Sequence, residues 1–248
     1  MKRINLTYDR KTISNNPLGT YNKFQTKVIT TIRRNQKINT DSFYSEFKAI
    51  AEELEQTNDS TLLTKISRNL IEFLVSKKQS DLAGIAYSVL IKANKDNPKQ
   101  IEILATNALS IAIRGKDPVH TFARANDLNE LYSKTEPGSD RHIKYLRIAN
   151  RALLDVCNNY DTSVANRYKT VSRRLKPLEN YEFMLCSLKL EIVEYTMAKE
   201  PHNAKYELEQ VKMILEKNKN SNNVESIEIL SRKIAEIEAK INTINKSN

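Results

Sequence analysis

AYSVLIKANKDNP, residues 86–98, runs from an alanine to a proline, and ANDLNELYSKTEP (125–137) and ANRYKTVSRRLKP (165–177) repeat that span. The alanines Ala86, Ala125 and Ala165 stand 39 and 40 residues apart, as do Pro98, Pro137 and Pro177. Between and around these marks the apolar residues recur in steps of three and four. Tyr21, Phe24, Val28 and Ile32 form one stripe; Phe43, Phe47, Ile50 and Leu54 the next; Leu82, Ile85, Val89 and Ala93 another. Steps of that size place each group on one face of a helix. A small residue lets two helices approach closely, while proline cannot continue a helix interior. Each alanine is therefore read near the start of a hairpin's second helix, and each proline as the opening of the next unit.

The same pattern extends over most of the chain. Breaks such as QTNDST, NKDNP, RGKDP, TEPGSD and KEPHN offer Asp, Asn, Ser and Thr to cap the following helix, and Pro118 suits a first turn. No segment sustains two-residue alternation, so no strand is predicted. The expected fold is all-α, a right-handed α-solenoid of about five helical hairpins and a C-terminal capping helix. The hairpins fall near residues 17–56, 60–95, 98–134, 138–175 and 178–218, with a final helix over 222–245; together they make a single helical-repeat domain, 17–248. Residues 1–16, with several polar turn formers and basic Lys2, Arg3, Arg10 and Lys11, read as a flexible basic arm.

The 86–98 stretch resembles the second helix of the tetratricopeptide-like repeat family, in which small, large, small and proline residues stand at relative positions 0, +4, +7 and +12. Ala86, Leu90, Ala93 and Pro98 match all four; Ala125 with Pro137 and Ala165 with Pro177 keep only the outer pair. The family's Trp, Leu-Gly and Tyr first-helix pattern is missing. A unit near 40 residues is also longer than the family's 34 and nearer the HEAT type. The resemblance concerns architecture over residues 60–218. It implies an extended interaction surface rather than a catalytic pocket.

In the last helix Ile227, Leu230, Ile234, Ile237, Ile241 and Ile244 form a heptad-like seam. It could dimerise two copies or cap the last hairpin. Because it falls short of the three to four heptads that argue for a coiled coil, the cap is the favoured reading and a homodimer the alternative.

Composition narrows the function. The 248 residues include 4 Gly and two cysteines, Cys157 and Cys186, so neither a disulfide framework nor a Gly-rich phosphate loop is expected. No stretch is apolar enough to span a bilayer, and MKRINLTYDRKT lacks the apolar core of a secretory signal; a cytoplasmic location is expected. His120, His142 and His202 show no metal-ligand spacing. Cys157 and His142, fifteen residues apart on one helix, would be separated by about 22 Å, far beyond the reach of a catalytic dyad. No catalytic constellation and no cofactor signature emerges.

Charge is the remaining clue. The net charge is +10, and residues 138–177 contribute +6 with no glutamate. Lys144, Arg147 and Arg151 share one helix face there, and Arg167, Arg173 and Arg174 lie on the following helix. Arginine forks match carboxylates and phosphates. The expected function is a non-enzymatic scaffold that holds an acidic peptide or protein on this surface. The alternative is a nucleic-acid-binding protein of low sequence specificity, using the same surface together with the arm.

Overall fold

The computed structural model describes residues 3–56, 60–158, 181–219 and 223–247. Local chemistry sets the helix boundaries. Asn16, Asn97 and Asp117 each precede a proline, and each side-chain oxygen accepts the amide hydrogen three residues on: from Gly19 at 2.8 Å, Gln100 at 3.1 Å and His120 at 3.2 Å. Proline at the first helical position forfeits only an amide that has no partner there. Pro17, Pro98 and Pro118 accordingly open α2 (Pro17–Arg33), α6 (Pro98–Arg114) and α7 (Pro118–Thr135). The helix ends are as regular. Asn35, Lys78 and Lys116 adopt left-handed φ of 55°, 56° and 51° just past α2, α4 (Ser60–Ser76) and α6. The amides after them, of Gln36, Gln79 and Asp117, reach back to the carbonyls of Thr31, Leu74 and Ala112. This reversal satisfies carbonyls that a helix end leaves open.

The described residues fall into two compact units, one through His120 and one from Thr121. The first holds α1 (Arg10–Asn15), α2, α3 (Thr40–Gln56), α4, α5 (Ser80–Ala93), α6 and the start of α7. Helices adjacent in sequence pack together from α1 to α6, and α3 also packs on α5. An aromatic cluster anchors this unit. Phe24 lies 5.2 Å from Phe43 and stacks on Phe47 at 5.7 Å, all three fully buried. Helix α5 is covered on nearly every side; Ala86 and Leu90 have no exposed surface.

The N-terminal residues differ from the expected arm. Leu6 and Ile13 are buried, and α1 packs against α2 and α3. The Ile4 amide donates to the Lys37 carbonyl at 2.8 Å, and the Asn39 amide donates to Ile4 at 2.9 Å. This forms an isolated parallel bridge between Ile4 and Ile38; no strand occurs among the described residues. Arg3, Arg10 and Lys11 remain exposed on this docked segment.

The second unit holds the rest of α7 with α8 (Asp140–Asn158), α9 (Tyr181–Thr196), α10 (Pro201–Lys217) and α11 (Val224–Ser247). Helix α9 packs against α8, α10 and α11. Its core joins Phe183, Cys186, Leu190 and Val193 to Ala204, Leu208, Val211 and Leu215 of α10. Leu230, Ile234 and Ile237 of α11 complete it, flanked by half-buried Ile227 and Ile241. The middle of the heptad-like seam is thus covered by its own chain. Ala125 is also fully buried, but Pro137 sits in the turn before α8 rather than at a helix start. Ala165 and Pro177 lie outside the described residues.

Candidate functional site: the α8 face and the cleft beside it

Helix α8 is strongly two-sided. Ile143, Leu146, Ala149, Leu153 and Val156 face the core, which turns Lys144, Arg147 and Arg151 outward, all three exposed. The structure therefore brings these three expected residues together on one face. Arg167, Arg173 and Arg174 lie outside the described residues, as do Tyr160 and Tyr168. Among the described residues neither Lys144 nor Arg151 meets a carboxylate at ion-pair distance, while Lys144 sits 5.6 Å from the Tyr145 ring centre.

Arg147 is engaged. Its Nη2 donates to both carboxylate oxygens of Glu200, at 3.0 and 2.9 Å. Glu200 precedes Pro201 at the start of α10, where the helix dipole favours a negative charge. Its Oε2 also accepts from Asn203 Nδ2 at 3.1 Å. The hydrogen bonds from Asn203 and Arg147 hold the carboxyl below the usual carboxylate range.

A polar cleft of about 310 Å³ opens beside this pair. It is lined by Arg147 and Asn150 from α8, Ile192 and Thr196 from α9, and Glu200, Asn203 and Glu207 from α10. Lys189 pairs with Glu207. The Thr196 hydroxyl donates to its own helix at Ile192, 2.7 Å away. The cleft walls thus carry both signs of charge, and its carboxylates oppose a continuous run of phosphates. The basic surface expected here is a basic helix face with an acidic edge.

Cys186 is fully buried, and burial followed by the nearby Glu182 charge pushes its thiol up to about 12; a thiol so placed is not a nucleophile. His142 is buried against Tyr195, its Nδ1 accepting from the Gly138 amide at 3.1 Å and its Nε2 3.4 Å from Glu191. No helix among the described residues is long and apolar enough to cross a membrane. No family model, no curated protein and no solved structure matches the chain.

Sequence reasoning missed Glu200 as the partner of Arg147, because 53 residues separate them and only packing of α8 and α10 around α9 unites them. Pro201 preceded by an acid and followed by Asn203 was the available signal, and it read as an ordinary helix start.

Proposed function

We propose that the protein is a non-enzymatic interaction scaffold, a helical-repeat solenoid that holds an acidic peptide or protein segment on the α8 face. The observation that carries the reading is the contact of Arg147 Nη2 with both carboxylate oxygens of Glu200, next to exposed Arg151 and Lys144. The face already recognises one carboxylate of its own chain. An exposed ion pair stabilises a fold only slightly, so an incoming acidic side chain can displace Glu200 at little cost. Arg151, one turn along, offers a second guanidinium. The solenoid part draws support from the packing order in the first unit, where chain neighbours are also neighbours in space.

The test uses a fluorescein-labelled oligoglutamate peptide and a labelled single-stranded DNA of equal charge, followed by anisotropy at two salt concentrations. The peptide is expected to bind more tightly than the DNA. Replacing Arg147 and Arg151 together by Ala weakens peptide binding by roughly five- to tenfold and flattens its salt dependence. Glu200→Gln, which removes the internal competitor, tightens it. Unchanged peptide affinity in both variants would sink the proposal, and preferential DNA binding would favour the nucleic-acid alternative.

A further inference from the structure

We propose that Asp81, Asp117 and His120, all in the first unit, form a binding site for a first-row transition-metal dication, with Zn²⁺ the simplest probe. The three residues come from two helix starts. Asp81 lies in the first turn of α5, Asp117 precedes α7, and His120 sits in the first turn of α7. One ligand-type atom from each lies within 4.8 Å of the others, and His120 Nε2 is 3.8 Å from Asp81 Oδ1.

The imidazole is the decisive group. His120 is 97% buried by its 3% exposure, yet neither Nδ1 nor Nε2 has a hydrogen-bond partner. A buried polar ring without partners costs free energy, and such a group calls for an explanation such as an ion. Gly84 makes room for it: a Cβ there would meet ring atoms at 2.1 Å and 2.2 Å. The ring is thus seated against bare backbone, with its Nε2 toward the Asp81 carboxylate.

The donor set suits the ion. Neutral imidazole favours Zn, Fe or Co over Ca or Mg, while two carboxylates supply the charge that balances a dication. They also offset the two positive helix starts beneath them. Tetrahedral Zn–N and Zn–O bonds of about 2.0–2.1 Å need donors about 3.3 Å apart, so the site must close by up to about 1.5 Å. The Asp81 side chain is half exposed, so solvent leaves room for that approach. Asp117 Oδ1 already accepts the His120 backbone amide at 3.2 Å, which fixes that carboxylate beside the ring. Three protein ligands and a solvent-facing side leave a fourth position for water.

The experiment titrates the chelator-treated full chain with Zn²⁺ by calorimetry and with Co²⁺ by visible absorption. The expected result is one saturable equivalent and a cobalt spectrum of tetrahedral nitrogen and oxygen ligation. Asp81→Asn preserves shape at a half-exposed position and should lower Zn²⁺ affinity by about tenfold or more. Asp96→Asn, an exposed acid elsewhere in the unit, should leave it unchanged. Affinity equal in Asp81→Asn and the parent chain, or no saturable binding, overturns the proposal. Thermal denaturation of metal-free Asp81→Asn verifies that the variant folds, so a lost equivalent reads as a lost ligand.

Discussion

His142 shows how one side chain ties stability to pH. Its Nδ1 accepts the Gly138 amide, so the ring proton lies on Nε2, facing Glu191. Protonating Nδ1 would break the first bond inside a fully buried site. Burial lowers the pKa from its ordinary 6.5, and the Glu191 charge opposes this only in part. The unfolded chain then takes up the proton first as pH falls, so stability is complete above 6.5 and declines below it. Urea midpoints measured on stepping down from pH 6.5 are expected to fall more steeply for the parent chain than for His142→Gln; equal slopes would remove His142 as the cause. Lys78 makes a second prediction. Left-handed φ costs an L-residue about 1–2 kcal/mol, and glycine avoids this while losing about 0.4–1 kcal/mol more unfolded-state entropy. Lys78→Gly should therefore raise stability by roughly 0.5 kcal/mol in chemical denaturation.

At the scale of elements, legibility in the sequence followed the length of the pattern. The stripes over Phe43 to Leu54 and Leu82 to Ala93 have enough turns to declare helices, and α3 and α5 lie there. The heptad-like seam likewise announced α11, whose apolar side Leu230, Ile234 and Ile237 bury. The N-terminal segment was illegible for the opposite reason. Ile4, Leu6 and Tyr8 alternate over too few positions to separate from chance, and their partners Ile38 and Ser42 are more than thirty residues away. The Leu6 amide donates to Ser42 Oγ, and its side chain is fully enclosed. Leu6→Ala is accordingly expected to cost about 2–4 kcal/mol in urea unfolding, where a free arm would show no change.

For the molecule as a whole, charge was readable in amount but not in arrangement. Counting along the chain located the excess at 138–177 and named Lys144, Arg147 and Arg151, which do share an exposed face. It could not show that Glu200 closes on Arg147, because ion pairing depends on which helices meet. The Asp81, Asp117 and His120 cluster escaped for the same reason. Asp117 and His120 alone look like a helix start, and Asp81 joins them only through the packing of distant turns. The contrast sets the weight of the binding experiment: the basic face is exposed, and the proposed choice of peptide over nucleic acid turns on its acidic edge.

Gly84 carries one last implication. Since a methyl group at that position would occupy the volume of the His120 ring, the two sites are mutually exclusive for larger residues. In any set of relatives, a side chain appearing at 84 should travel with loss of the imidazole at 120, leaving paired changes in the descent of the chain.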